Sequence, residues 1–171
     1  GELIANAPHI PVHLGSMGEA VRALIQARGD QFQPGDAFAS NAPYSGGTHL
    51  PDITVITPVF DEAESRVLFY VASRGHHADI GGITPGPMPP FSVTIDQEGI
   101  LLDNLLLVRG GQLLAAELLA RLTADPWPVR NSRQNLADLQ AQIAANAKGA
   151  RELRRMTAHF GLEVVNAYMG H

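Results

Sequence analysis

Cysteine is absent from this chain of 171 residues, which excludes disulfides, thiolate metal sites and cysteine nucleophiles together. Lysine and arginine are also scarce, at 12 against 17 acidic residues, and they form no basic run. The resulting net charge of −5 argues against nucleic acid as a partner. Long hydrophobic runs are missing as well, since none approaches the roughly 18 residues that cross a membrane. We therefore expect a cytoplasmic protein with no nucleic-acid or membrane partner.

Apolar residues make up 45% of the chain, and its length suits one domain with a sizeable core. Helical spacing predicts helices over 17–28, with Ser16 as N-cap, and over 113–122. Asn131 is a suitable N-cap for a further helix of roughly 28 residues that reaches about His159. Shorter apolar runs predict strands over 37–40, 53–60, 67–73, 92–95 and 100–108. The expected fold class is α+β, a central β-hairpin or mixed sheet with Gly/Pro-rich loops, packed by helices that include one long C-terminal helix.

Two Gly-rich turns, Asn41 to Asp52 and Arg74 to Gly82, hold three of the chain's seven histidines and two aspartates. The strands predicted over 53–60 and 67–73 lie between these turns. A hairpin returns the chain to the edge of the sheet where it started, so the two turns should be neighbours in space. The side chains expected to converge there are His49, Asp52, His76, His77 and Asp79.

Imidazole nitrogen and carboxylate oxygen together suit Mn, Fe and Zn, whereas Mg and Ca prefer sites made only of oxygen. Pro51 lies between His49 and Asp52 and disfavours helix, which indicates a loop pair. If the second turn is extended, His77 points away from His76, and it could then hold a ligand in place from behind or act as an acid–base group. The simpler alternative is a set of hydrogen-bonded loop residues, with Asp52 as a turn former.

His9 and His13 lie in an N-terminal segment that Pro8 and Pro11 interrupt, so no helix is expected there. Both histidines are candidates for lining a site. The alternative is a structured loop or a short strand without a functional role.

Five stretches carry a resemblance to a known family. They read His-Ile-Pro-Val-His-Leu-Gly-Ser-Met at 9–17, Gly-Gly-Thr-His-Leu-Pro-Asp-Ile-Thr at 46–54, Phe-Tyr-Val-Ala-Ser-Arg-Gly-His-His-Ala-Asp-Ile-Gly-Gly at 69–82, Thr-Pro-Gly-Pro-Met-Pro-Pro at 84–90 and Arg-Asn-Ser-Arg-Gln-Asn-Leu-Ala-Asp-Leu-Gln-Ala-Gln at 130–142. Together they resemble the hydantoinase B/oxoprolinase family over essentially the whole chain. Members of that family are subunits, or the C-terminal half of a fused chain, of ATP-dependent enzymes such as N-methylhydantoinase, 5-oxoprolinase and the acetone and acetophenone carboxylases.

The resemblance implies that ATP binds to a partner subunit of hydantoinase A type, and hence that the protein works in a hetero-oligomer. It also implies a divalent metal (Mn, Fe or Zn) held by a His, an Asp and a second His, at least in the acetone carboxylase branch. In this sequence the implied ligands are His49, Asp52 and one of His76 and His77, of which we prefer His76. His77 and Asp79 are then the catalytic candidates.

The family also bears on extent and function. Its subunits are several hundred residues long, so residues 1–171 are expected to form a single domain that is a fragment of a larger subunit. The expected function is the metal-bearing portion of an ATP-dependent hydrolase of cyclic amides, inactive without its partner. The alternatives are a subunit of an ATP-dependent ketone carboxylase and a non-catalytic assembly module of such a complex.

Overall fold

The computed structural model describes residues 1–7, 11–124 and 126–170, and a five-stranded sheet lies at its centre. The strands are β1 (Ala37–Ser40), β2 (Asp52–Phe60), β3 (Val67–His76), β4 (Leu105–Arg109) and β5 (Gln112–Leu113). They are ordered β3-β2-β1-β4-β5, and the pairings between them are antiparallel. The expected hairpin is therefore present, as β2 and β3, inside a larger sheet.

Helices cover the sheet, as the α+β class requires, and that class is confirmed. They are α1 (Val12–Arg28), α2 (Ile95–Glu98), α3 (Ala115–Thr123), α4 (Ser132–Phe160) and α5 (Leu162–Met169). The long helix α4 begins where predicted, because the Asn131 side chain accepts a hydrogen bond from the Gln134 backbone N–H at 3.2 Å. Of the helices in the described residues, none is both long and apolar enough to cross a membrane.

Strand β2 faces two different cores, because strand side chains alternate between the faces of a sheet. Ile53 and Val55 belong to an apolar cluster that includes Leu139 of α4. Ile56 belongs to a second cluster, which includes Leu24 of α1. Helices on both sides thus bury all of the strand except Thr57, which is partly exposed, and this explains why its sequence is a nearly continuous apolar run.

The predicted start of the first helix is wrong, since α1 begins at Val12 and not at residue 17. Pro11 does not prevent this, because a proline at a helix start removes an N–H that would have no partner there. Ser16 consequently lies inside the helix and does not cap it. Its hydroxyl donates to the Val12 carbonyl at 3.0 Å.

Three strand predictions are also corrected. Residues 92–95 form no strand, because Ile95 opens helix α2 after the Pro-rich loop. The strand predicted over 100–108 starts only at Leu105, since Asn104 has a φ of +49° and interrupts the extended backbone. Strand β3 is longer than predicted and continues to His76, so it includes the first residues of the second turn.

Candidate metal centre

The register of the β2–β3 hairpin brings the two Gly-rich turns together. Asp52, the first residue of β2, pairs with His76, the last residue of β3. The next pair on the same face is Thr54 with Arg74. Side chains two residues apart on a strand share a face, so these four side chains line one patch of the sheet, on the side that α1 covers.

The first turn brings His49 against this patch. A 3-10 segment, Pro43–Ser45, leads into Gly46, whose φ is +82°. A Cβ at Gly46 would lie 2.1 Å from the backbone nitrogen of Ala20 in α1, so only glycine fits between the turn and the helix. The Asp52 N–H then donates to the His49 carbonyl at 3.0 Å. This bond closes a turn that holds the His49 and Asp52 side chains near each other in space.

Asp52 bridges two histidines. Its Oδ1 lies 3.0 Å from Nδ1 of His76, and its Oδ2 lies 3.0 Å from Nδ1 of His49. The two imidazole rings are 5.1 Å apart between their centroids and tilted by 30°. We call His49, Asp52 and His76 the open cluster, because the two histidine side chains are 26% and 51% exposed while the carboxylate beneath them is 7% exposed.

The surroundings of Asp52 keep its carboxylate ionised. Burial by itself would raise the pKa of Asp52, but a hydrogen bond from Thr48, a hydrogen bond from His76 and the charges of both histidines together hold that pKa below its usual value. The Thr48 hydroxyl donates to Oδ2 at 2.6 Å. A buried, ionised carboxylate with nitrogen donors beside it is a typical starting point for cation binding.

The donor set of the open cluster fits a divalent metal. One nitrogen from each histidine and one oxygen from Asp52 all lie within 4.8 Å of one another. Two imidazoles and one carboxylate are a common set for Zn, Fe and Mn, with further positions left for water or substrate. The partial exposure of His49 and His76 provides a path for such an ion to enter.

Arg74 flanks the open cluster, and the sequence reasoning did not identify it. Its Nε donates to the Thr54 hydroxyl at 2.8 Å, and its Nη2 donates to the Gly46 carbonyl at 3.0 Å. Its Nη1 contacts Ser16 and His13 of α1. Burial lowers the pKa of Arg74 against the opposing charge of Asp52. The available signal was strand alternation, which puts residues 74 and 76 on one face.

His77 faces the opposite side of the sheet from His76, toward helix α4. Its side chain is 1% exposed, with Nε2 3.2 Å from Gln142 Oε1 and Nδ1 3.2 Å from Asn135 Nδ2. Burial lowers the pKa of His77, and it outweighs the opposing effects of the Gln142 hydrogen bond and of the Asp138 charge. It is therefore His76, not His77, whose ring contacts Asp52.

Asp79 also lies away from the open cluster. Its Oδ1 pairs with Nη1 of Arg130 at 2.5 Å, and its Oδ2 accepts from the Arg130 backbone N–H at 2.8 Å. The structure thus brings together three of the five side chains expected to converge and separates the other two. We call His77 and Asp79 the closed pair, because both are hydrogen-bonded to α4 or to Arg130, which lies two residues before it.

Of the two upstream candidates, His13 can be placed and His9 cannot. His9 lies outside the described residues. His13 lies in the first turn of α1, where its Nδ1 is 3.3 Å from Nη1 of Arg74. It therefore reaches the edge of the patch through Arg74, and its role as a site residue stays a prediction.

Comparison with known proteins gives a consistent result. A family model described as hydantoinase B/oxoprolinase matches residues 1–171. A 5-oxoprolinase from Dictyostelium discoideum is 49% identical over 171 residues, which are 100% of this chain and 13% of that protein. Caprolactamase subunit beta from Pseudomonas jessenii is 31% identical over 166 residues, which are 97% of this chain and 28% of that subunit. The chain thus spans a small part of the length of these relatives.

Two solved structures share the fold. The crystal structure of an ATP-dependent caprolactamase from Pseudomonas jessenii matches with a TM-score of 0.86 and 29% sequence identity, over 98% of this chain and 28% of that one. A nucleotide-free acetone carboxylase matches with a TM-score of 0.84 over 97% of this chain and 21% of that one. The sequence identity to acetone carboxylase is 23%, so that similarity shows the fold alone.

Proposed function

This chain belongs to the hydantoinase B/oxoprolinase family, and on that premise we propose that it is the metal-bearing portion of an ATP-dependent hydrolase of cyclic amides. Family membership confirms the resemblance inferred from the five motifs. The observation that carries the proposal is the open cluster, in which one buried carboxylate contacts two partly exposed imidazoles at 3.0 Å each. We propose His49, Asp52 and His76 as the ligands of a divalent ion, Mn, Fe or Zn.

Hydrolysis is favoured over carboxylation by the relatives with the higher sequence identity. 5-Oxoproline and caprolactam, the compounds in the names of two such relatives, are both cyclic amides. The acetone carboxylase likeness is one of fold, so it adds no support for a ketone substrate. A ring amide is therefore the proposed substrate class.

The chain's own residues would serve the reaction by holding charge in fixed positions. A bound divalent ion would supply Lewis-acid chemistry at a carbonyl oxygen. Thr48 and the two histidines keep Asp52 ionised. The guanidinium of Arg74 would add a positive charge near Asp52, besides the charge of the bound ion. The catalytic roles expected for His77 and Asp79 stay predictions, and neither side chain contacts the open cluster.

The ATP site is proposed to lie on a partner of hydantoinase A type. The caprolactamase relative is itself named as a subunit and described as ATP-dependent, which supports a hetero-oligomeric, partner-dependent enzyme here. A location in the cytoplasm is part of the same proposal.

Metal content tests the proposal directly. We expect elemental analysis of the purified protein to find about one Mn, Fe or Zn ion per chain, and to find none in Asp52→Ala. Asp30→Ala, which removes an exposed aspartate, is the control and should keep the metal. Addition of an ATP-binding partner should then give ATP-dependent opening of 5-oxoproline by the wild type and by Asp30→Ala, and not by Asp52→Ala. No metal in the wild type after growth with these ions would favour the assembly module.

A further inference from the structure

Helix α4 carries three buried amide side chains on the face that packs against the sheet. Asn135, Gln142 and Asn146 are 3%, 9% and 1% exposed. They lie at helical spacing on one side of α4, interleaved with the apolar Leu139. Burying amide groups is unfavourable unless each one is hydrogen-bonded, so their partners indicate what the helix recognises.

Asn146 binds the middle of the hairpin. Its Nδ2 donates to the carbonyls of Val55 and Val71, at 2.9 and 3.3 Å, and lies 3.2 Å from the Thr57 hydroxyl. These partners belong to β2 and β3 well inside the strands. Asn146 therefore attaches α4 to the sheet without contact to either Gly-rich turn.

Gln142 binds the hairpin at the end where the open cluster lies. Its Nε2 donates to the Ile53 carbonyl at 2.9 Å and to the Ser73 carbonyl at 3.1 Å. Ile53 directly follows Asp52. Gly75 allows this approach, since a Cβ there would lie only 3.1 Å from Gln142 Cδ.

These bonds determine which ring nitrogen of His77 carries its proton. Because Gln142 Nε2 uses its hydrogens on two carbonyls, its Oε1 faces His77 Nε2, which must donate. Asn135 Nδ2 donates to the Asp79 carbonyl at 2.8 Å, so it can only donate to His77 Nδ1 as well. The ring is thus held as the neutral tautomer protonated at Nε2, with both nitrogens satisfied by α4.

His77 connects this arrangement to the open cluster through the backbone. Its N–H donates to the Pro51 carbonyl at 2.8 Å, so it joins the two turns immediately beside Asp52. Its neighbour His76 contacts Asp52 Oδ1 on the other face of the sheet. A ring fixed on the α4 side therefore fixes the peptide that carries the His76 ring on the α1 side.

We propose that helix α4 positions the metal ligand His76, by gripping the ring of His77 with Gln142 and Asn135. Asn135 and Gln142 are positioning residues under this proposal, while Asn146 serves only to attach the helix. The proposal rests on the metal centre proposed above.

Metal affinity of matched variants tests it. In Gln142→Leu and Asn146→Leu an amide that serves backbone carbonyls is lost, so both variants should unfold more easily in urea. We expect only Gln142→Leu to bind Zn²⁺ more weakly, by about 10-fold in competition with a chromophoric chelator. Asn146→Leu should bind within about 2-fold of the wild type. Equal losses in both variants, or none in Gln142→Leu, would overturn the proposal.

A measurement without metal tests the role of α4 independently of whether the open cluster binds an ion. The ¹⁵N shifts of the His77 ring in the chelator-treated wild type should show a proton on Nε2 and a lone pair on Nδ1. The His76 ring signals should change in Gln142→Leu and not in Asn146→Leu. This result without any Zn²⁺ binding would contradict the metal centre alone, whereas the opposite tautomer would contradict the role of α4. If Gln142→Leu does not fold, Asn135→Ala takes its place with the same expectations.

Discussion

His76 and His77 are neighbours in the sequence, yet the His76 side chain is 51% exposed and the His77 side chain is 1% exposed. Each also has an aspartate near it. Asp52 lies across the hairpin from His76, and Asp79 lies two residues after His77 in the sequence. Asp52 of the open cluster is bonded to Thr48 and to two imidazoles that solvent can reach. Asp79 of the closed pair is neutralised by Arg130. The same residue types are therefore available to a ligand on one face of the sheet, whereas on the other face they are already bonded to other groups of the protein.

Strand geometry produces this difference. His76 is the last residue of β3, and the residue after it points to the other face of the sheet. On the α1 face the rings of His49 and His76 contact Asp52 through Nδ1, whereas the α4 face supplies amides that occupy both ring nitrogens of His77. Residue type alone thus does not identify a ligand, and the partners already bound to it must be counted.

Replacing His76 and His77 one at a time should give the largest difference between the open cluster and the closed pair, in Zn²⁺ affinity and in the free energy of unfolding. His76→Ala should weaken Zn²⁺ binding by at least about 100-fold, because one of three protein ligands is lost. Its free energy of unfolding without metal should change by less than about 1 kcal/mol, since the ring is exposed.

His77→Ala should behave in the opposite way. It should lower the free energy of unfolding by about 3 kcal/mol, because a buried ring and two hydrogen bonds are lost. Its loss of Zn²⁺ affinity should be smaller, about 10-fold. Urea unfolding and chelator competition measure the two effects. A complete loss of binding in His77→Ala together with normal binding in His76→Ala would exchange their roles.

Glycine substitutions compare the packed turn with an open one. Gly46 and Gly86 have φ of +82° and +87°, but a Cβ at Gly46 meets the backbone of α1 whereas a Cβ at Gly86 meets nothing within 4 Å. Gly46→Ala should lower the free energy of unfolding by about 3 kcal/mol and weaken metal binding through His49. Gly86→Ala, the control, should cost only about 1 kcal/mol for its left-handed backbone. Equal costs would mean that α1 does not constrain the first turn.

The ion pair of the closed pair should matter to stability and not to metal. Asp79→Asn should lower the free energy of unfolding by about 1–2 kcal/mol, because two charge-assisted bonds to Arg130 are weakened. A double-mutant cycle with Arg130→Met measures the coupling between the two side chains. Metal content should be unchanged. A catalytic role for Asp79 would instead appear as a loss of turnover that exceeds the loss of folded protein.

Much of the site could be predicted because the hairpin could be. Two apolar runs joined by a polar turn imply antiparallel strands, and their ends then bring His49 and Asp52 to His76. The bonding of the closed pair to other parts of the protein was harder to predict, since it depends on Asn135, Gln142 and Arg130, which are far away in the sequence. The resemblance to a family narrowed the choice between histidines but did not decide it.

The buried amides of α4 were missed for a physical reason. Helical periodicity detects apolar stripes, such as the one that Leu136, Leu139 and Ile143 form in α4. The face of α4 toward the sheet is partly polar because its amides donate to carbonyls of β2 and β3, and no local pattern in the helix sequence indicates which partners another element supplies. The early start of α1 was missed because Pro11 was taken as a helix breaker, although proline is compatible with a helix start.

The pH dependence of stability should show the smallest and most specific difference. Burial lowers the pKa of His77 in the folded protein. As the pH falls, the unfolded chain therefore binds a proton at His77 before the folded protein does. The stability contributed by the neutral ring is complete above the unfolded pKa, about 6.5, and is lost as pH falls below it. The slope cannot exceed that of one proton, about 1.4 kcal/mol per pH unit.

His77→Gln isolates this effect, because glutamine does not titrate while His49 and His76 remain in both proteins. Urea unfolding of the metal-free protein between pH 7.5 and 5 should show the wild type losing stability relative to His77→Gln as the pH falls. Asp52 acts in the same direction, since its pKa is also lowered, but its contribution is lost only below about pH 4 and lies outside this window. Parallel curves for the two proteins would mean that His77 is not shielded from protons, and the contrast between the open cluster and the closed pair would then disappear.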